Sequence, residues 1–286
     1  MKVLFFGANG LIGANCIYSL TACSNRFWDI TAVIRPGSIH NFKKNNIKSI
    51  EVEDICKSFK KVIIDTNPDI IVNCAGVVKQ NFDKYPKSEI IRMNSLFPHL
   101  LSEYCESKLI KLITISTDCV FSIKSGNNSE ISQKFSQDLY GASKRIGEVS
   151  GNFSKTIRLS SIGFEHGVSK HGLLEWLLNN DCRAVLGYSN AIYSGVAASE
   201  MFRIIEWVLD NWETSDVFHF PGYLISKLKL LTLLVEAFDL DVIIKPSSEP
   251  KIERNLTSNF VSALDLKLPP WDLQIQNLRE LEKYYV

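Results

Sequence analysis

The chain has 286 residues and carries 32 lysines and arginines against 31 aspartates and glutamates, a formal net charge of +1. That length suffices for one large α/β core or for a nucleotide domain with a smaller companion. The charge balance excludes the broad electropositive field of a general nucleic-acid binder, and no apolar run reaches the roughly eighteen residues of a membrane-spanning helix. Seven scattered cysteines, an odd number without a C-x-x-C pair, predict reduced thiols in a cytoplasmic setting and argue against a disulfide framework or a zinc site. The sequons at Asn127, Asn152 and Asn255 are then chance matches.

Lys2 to Phe6 resembles the start of a signal sequence, but it gives way at Gly7 to a glycine-rich turn with no cleavage site, so a buried strand is predicted instead. A helix follows over Leu11 to Ala22. Further strands are predicted at Ile30 to Ile34, Ile70 to Cys74, Ile110 to Ser116 and Thr156 to Leu159, and a second helix at Ser88 to Ser107. These strands are apolar throughout instead of alternating, the mark of a parallel sheet covered on both faces. After Ser161 the pattern loosens into an amphipathic segment Leu173 to Asn179 and helices at Ser199 to Asp210 and Lys227 to Phe238. A proline-bounded loop around Pro246 to Pro250 and a terminal helix after Pro269-Pro270-Trp271 complete the chain. The expected fold is α/β: a Rossmann-type doubly wound parallel sheet over residues 1–160 with a returning segment at about 188–215. Residues 161–187 and 216–286 then form a smaller substrate-binding region.

Three patterns carry chemistry. Gly7-Ala8-Asn9-Gly10-Leu11-Ile12-Gly13 lies between the first strand and the first helix, where glycines permit a sharp turn, close approach of backbone to a pyrophosphate and tight helix packing. The second strand ends in Arg35, not in an acid; Asp29 precedes that strand and lies at the wrong end of the sheet. An arginine there accommodates the 2′-phosphate of NADP, so NADP(H) is the expected cofactor, with Ser38, Lys43 and Lys44 either adding to that site or forming a solvated basic loop. Tyr140 and Lys144 stand four apart on a helix, where an ammonium can favour ionisation of a phenol, and Thr117 ends a parallel strand with its hydroxyl toward the ligand crevice. Together these are acid/base equipment for proton exchange near neutral pH. His166 and His171 have no acidic cluster beside them, and no metal is assigned.

The pieces G-A-N-G-L-I-G from Gly7, N-C-A-G from Asn73, S-T-D-C-V-F from Ser116, Y-G-A-S-K-R-I-G-E from Tyr140 and I-R-L-S-S-I-G from Ile157 run in one order over more than half the chain. On these the sequence resembles the extended short-chain dehydrogenase/reductases, and within them the dTDP-4-dehydrorhamnose reductases and related nucleotide-sugar 4-reductases. Ile225-Ser226-Lys227 and the stretch from Glu253-Arg254-Asn255-Leu256 through Pro270-Trp271 are similar but less specific. The resemblance implies NADPH-dependent reduction of a nucleotide-linked 4-keto-6-deoxyhexose in deoxysugar and surface-polysaccharide biosynthesis. Tyr140 would donate the proton, Lys144 would be its cationic partner and ribose ligand, and Thr117 would orient the carbonyl. Asn73, Cys74, Ala75 and Gly76 would line the adenosine side, Asp54 and Ile55 the adenine, and Asn94 would support the active-site helix. Asp118, Cys119, Tyr140, Trp176 and the stretch Gly163 to His171 would face the substrate, although Cys119 stands where the reductases commonly have tyrosine and Trp176 also reads as a buried aromatic. A homodimer is implied by analogy.

Two other readings remain open at this stage. A nucleotide-sugar epimerase or dehydratase shares Thr117, Tyr140 and Lys144 but retains tightly bound NAD; Arg35 argues against it, and dehydratases of this class carry an Asp-Glu pair where this chain has Asp118-Cys119. A non-catalytic nucleotide-sensing relative would tolerate loss of a residue that is here intact.

Overall fold

The computed structural model describes residues 1–38, 40–166, 170–180 and 183–285. In chain order the nucleotide half runs β1 (Lys2–Phe6), α1 (Leu11–Cys23), β2 (Asp29–Ile34), β3 (Lys48–Glu51), α2 (Ile55–Thr66), β4 (Ile70–Asn73) and α3 (Lys87–Ile91). It continues through α4 (Phe97–Lys108), β5 (Lys111–Thr117), α5 (Leu139–Ile146) and β6 (Ser154–Leu159). The remainder adds β7 (Ser161–Ile162), α6 (Leu173–Leu178), β8 (Ala184–Tyr188), β9 (Ile192–Tyr193), β10 (Val196–Ala197), α7 (Met201–Asp210) and β11 (Val217–His219). It closes with β12 (Ile225–Ser226), α8 (Lys227–Ala237), β13 (Ile243–Ser247) and α9 (Trp271–Glu280).

Seven strands form one sheet in the order β11-β6-β5-β4-β1-β2-β3, and every pair in it is parallel. Strand order reverses between β1 and β4, which opens a crevice above the carboxyl ends of the strands. The expected α/β architecture is therefore the observed one. Alternate residues of β1 serve opposite layers. Val3 and Phe5 join a core with α1 and α7, whereas Leu4 and Phe6 pack against Phe59, Phe97 and Leu101 of α2 and α4. Burying a side chain of this size contributes about 1.5–3 kcal/mol, so two covered faces explain why these strands lack polar alternation.

Local chemistry sets the ends of the helices. Asp54 caps α2, its Oδ1 accepting from Cys56 N–H at 3.1 Å, and Asn67 ends the helix in the left-handed region at φ 44°. Asp138 caps α5 by accepting from Gly141 N–H at 2.9 Å. The helix expected over Ser88 to Ser107 is present but not uniform: Arg92–Leu96 forms a π turn between α3 and α4, a feature that hydrophobic spacing does not register.

Two further expectations are corrected. The sheet reaches past the division placed near residue 216, because β11 pairs with β6 and completes it. The stretch expected to be loop at Pro246 begins inside β13, which runs parallel to β8 with Pro246 opposite Gly187. This is a two-stranded sheet, whose edge tolerates a residue without an N–H.

Beneath the glycine turn, α1 is closed by rings distant in sequence. Tyr18 is fully buried, stacked on Tyr284 (centroids 4.8 Å) and edge-on to Tyr285 (5.2 Å), and its hydroxyl lies 3.1 Å from His166 Nε2.

Candidate active site

A cleft of about 820 Å³ follows the strand ends. Its lining takes in residues at the carboxyl ends of six sheet strands: Gly7 after β1, Arg35 after β2, Val52 after β3, Cys74 after β4, Thr117 closing β5 and Ser160 after β6.

At one end the turn Gly7–Gly13 meets the amino end of α1. Gly7 has φ 71°, and a side chain there would run into the Cys74–Ala75 backbone at 2.6–2.7 Å. A Cβ at Gly13 would collide with the Gly7 carbonyl oxygen and lie 2.9 Å from Ala8 Cα, so this glycine brings helix and strand together instead of facing the cleft. Gly10 caps α1 without a side-chain hydrogen bond, which leaves the first amides of the helix for a ligand. Asn9, Gly10, Leu11 and Ile12 line the space in front of them.

Arg35 is exposed at the far rim, where its Nη1 donates to Tyr85 Oη at 2.6 Å and its guanidinium lies 5.7 Å from the Tyr85 ring centroid. Ser38, Lys43 and Lys44 are not among the lining residues. Asp54 and Ile55 do line the cleft, but the Asp54 carboxylate is engaged by Arg92 Nη1 at 2.9 and 3.1 Å. Hydrogen bonding to Arg92 is the main cause holding that carboxyl below its usual range, with burial opposing it. Cys74, Ala75 and Gly76 form the floor, while Asn73 lies beneath it, its Oδ1 accepting from Ala75 N–H at 3.1 Å.

At the other end the side chains of β5 and α5 converge. Thr117 Oγ1 donates to Asp118 Oδ1 and accepts from Cys119 N–H, both at 3.1 Å. Tyr140 sits in the first turn of α5 with Phe82 edge-on at 6.1 Å, and it lines the same end of the cleft as Thr117. Burial first, and then Cys119 and Asp118, push the phenol above its ordinary value; Thr117 and Arg254 pull the other way. Lys144 lies half-buried one turn further along α5, its Nζ donating to Ile115 O at 2.8 Å, and burial lowers its pKa. Its ammonium is turned toward the end of β5, with the Glu148 carboxylate favouring its charged form.

Asn94 supplies the frame. Placed in the π turn, it accepts from Val77 N–H at 2.7 Å and donates to Val77 O at 3.0 Å and Ser143 Oγ at 3.1 Å, tying α5 to the chain after β4.

Asp118, Cys119, Glu165, His166 and His171 also line the cleft. Residues 167–169 of the stretch expected near the substrate fall outside the described residues. Burial lowers His166 to about 4, and among the described residues no group of three His, Cys, Asp or Glu side chains converges as a metal site requires. Trp176 neither lines the cleft nor is buried: it is 43% exposed on α6, with the Lys227 ammonium 5.9 Å from its ring. Sequence reasoning missed Tyr85, Arg92 and, as a site residue, Arg254. The first two sit in short helical turns without a motif, whereas Arg254 lay inside the weaker carboxyl-terminal likeness.

Six cysteines among the described residues are free thiols, and among those residues no helix is long and apolar enough to cross a membrane. The family model described as the RmlD substrate binding domain matches residues 1–157. No curated protein matches the sequence at a significant level. Among solved structures, the chain is similar to a dTDP-4-dehydrorhamnose reductase from Clostridium acetobutylicum (18% identity, TM-score 0.69, covering 99% of this chain and 100% of that one). It is similar also to a dTDP-4-dehydrorhamnose reductase from Bacillus anthracis in complex with NADP (17% identity, TM-score 0.71, 98% of each chain). A dTDP-glucose 4,6-dehydratase from Bacillus anthracis in complex with NAD has 16% identity and a TM-score of 0.73, over 99% of this chain and 96% of that one. At these identities the likeness is one of fold.

Proposed function

The chain belongs to the RmlD substrate binding domain family, and from that premise we propose that it is an NADPH-dependent reductase of a nucleotide-diphosphate-linked 4-keto-6-deoxyhexose, serving deoxysugar and surface-polysaccharide biosynthesis in the cytoplasm. The observation that carries this reading is that Thr117 and Tyr140 line one cleft with a glycine turn on a helix amino terminus. The uncapped amides of α1 and the close-packed glycines fit a dinucleotide. Gly7 to Gly13 would hold its diphosphate, Arg35 the 2′-phosphate, Cys74 to Gly76 the adenosine side and Lys144 the ribose. When bound, the reduced nicotinamide supplies the hydride.

The residues of the chain do the rest. Thr117 orients the carbonyl, and Tyr140, kept protonated by burial and by Asp118, gives its proton to the developing alkoxide. Asp118 and Cys119 border the sugar, and residues 161–187 with those beyond 219 form its enclosure. A homodimer is part of the same reading.

The test is a panel of nucleotide 4-keto-6-deoxysugars followed by NADPH absorbance, with Tyr140→Phe as the control. Oxidation of NADPH dependent on one of these sugars, and abolished in the control, supports the proposal. Tightly held NAD in the isolated protein, with no net NADPH consumption, would replace it by an epimerase or dehydratase.

A further inference from the structure

Two arginines line the end of the cleft assigned to the adenosine, and they are bound in opposite ways. Arg92 is fully committed to carboxylates. Its Nε and Nη2 donate to Glu89 at 2.8 and 2.9 Å, and its Nη1 to the two oxygens of Asp54 at 2.9 and 3.1 Å. Lys57 lies 3.7 Å from the same Asp54 carboxylate, so two cations balance two acids there. Glu53 also lines that end, but it is exposed and its charge is screened by the solvent. Arg35, by contrast, pairs with no carboxylate among the described residues. Its Nη1 donates to Tyr85 Oη at 2.6 Å, and its guanidinium lies 5.7 Å from the Tyr85 ring centroid.

Both partners stand on constrained backbone. Each immediately precedes a proline, Pro36 or Pro86, which biases it to extended geometry. After Arg35 the chain turns at once, Gly37 taking φ 68° and Ser38 N–H donating to Arg35 O at 3.2 Å. Tyr85 has φ −131° and ψ 139°, and the Pro86 carbonyl at the start of α3 accepts from Glu89 N–H at 3.0 Å. The Tyr85 ring is half-buried against the apolar layer that includes Val77 and Ile90. What the backbone does not fix is the long Arg35 side chain, whose rotamers any ligand would have to freeze. The Tyr85 hydroxyl restricts them in advance. It does so without cancelling the guanidinium charge, as a carboxylate in its place would. One phenol oxygen occupies one of the five N–H donors of a guanidinium, which leaves the rest of the fork for an anion, and the phenol keeps its own proton as a further donor.

We propose that Tyr85 is the positioning residue of the 2′-phosphate site: it holds the Arg35 guanidinium at the rim of the cleft with its charge intact, and thereby sets the preference for NADPH over NADH. This rests on the cofactor part of the reading above.

The test needs no sugar. Calorimetric titration with adenosine 2′,5′-bisphosphate and with 5′-AMP, and fluorescence titration with NADPH and with NADH, compare wild type, Tyr85→Phe, Arg35→Ala and the double variant as intact proteins. Tyr85→Phe keeps the ring and its packing and removes only the hydroxyl. It should weaken the bisphosphate and NADPH about three- to tenfold, the size of one hydrogen bond and the ordering it imposes, and leave 5′-AMP and NADH unchanged. In the Arg35→Ala background the same substitution should add nothing, because the hydroxyl acts through the guanidinium. Equal weakening of both members of each pair overturns the inference and makes Tyr85 a wall of the adenosine pocket. So does a loss that persists at full size without Arg35, and so does tighter binding of the bisphosphate by Tyr85→Phe, which would mean that the hydroxyl withdraws Arg35 from the phosphate. Equal affinity of wild type for the bisphosphate and 5′-AMP removes the inference together with the NADP assignment. A wild type that discriminates between them, with the expected loss in Tyr85→Phe, but reduces no keto-sugar upholds the role of Tyr85 and defeats the reductase reading alone.

Discussion

The two ends of the cleft are built on different principles. At the glycine end, recognition is the work of backbone: a left-handed turn at Gly7, a contact through Gly13 that no side chain would permit, and helix amides with no cap of their own. Seven consecutive residues contain it all. At the catalytic end the work falls to side chains from β5, α5 and residue 254, buried together so that each alters the ionisation of the next. The first end depends on shape and is indifferent to pH, whereas the second depends on charge and is exposed to every substitution among its neighbours.

Substitutions can separate the two. The largest expected effect is that of Tyr140→Phe, which removes the proton donor and should lower kcat about a thousandfold while NADPH affinity, measured by fluorescence titration, stays unchanged. Loss of binding in this variant would mean that the two ends are not independent. Gly13→Val attacks the opposite end by driving a branched side chain into the Gly7–Ala8 backbone. It should cost about 1–3 kcal/mol in urea unfolding and remove NADPH binding, leaving Tyr140 with nothing to serve. Arg35→Ala should weaken NADPH by roughly ten- to a hundredfold through loss of a charged phosphate contact, with NADH little affected. Equal losses for both would take Arg35 out of the phosphate site.

The smallest effect concerns Asp54. Its carboxyl titrates below the unfolded value because of Arg92, so the stability it contributes is complete above about pH 4 and lost as pH falls through the lower folded value. Asp54→Asn retains a capping side chain but loses the ion pair. Thermal melts should show it less stable by up to about 1 kcal/mol at pH 7, the difference closing toward pH 3. A gap that persists in acid would show that the cap, not the charge, had been damaged.

How much of this was legible in the sequence follows the same divide. The glycine turn, Arg35 and the strands flanking the crevice were readable because each is a local pattern: apolar residues buried on both faces, then a turn. β3 was not, since Lys48, Ser49 and Glu51 at the sheet edge are exposed and give no apolar signal. The π turn at Asn94 escaped because it adds one residue to a helix without changing its composition. That Tyr140 and Lys144 share one helix was legible from their spacing, whereas the neighbours that each side chain meets were not. Packing directs the Lys144 ammonium to the Ile115 carbonyl and brings Arg254, 114 positions from Tyr140 in the sequence, into the same cleft. Trp176 failed for a simpler reason, that six helical residues give no warning of which face will be covered.

The burial of Tyr18 by Tyr284 and Tyr285 bears on synthesis as well as on stability. During synthesis, α1 stands without these two rings until more than 260 further residues have been added. At about 5–20 residues per second that interval lasts roughly 15 to 50 s, during which the apolar face of α1 that they cover is open to solvent.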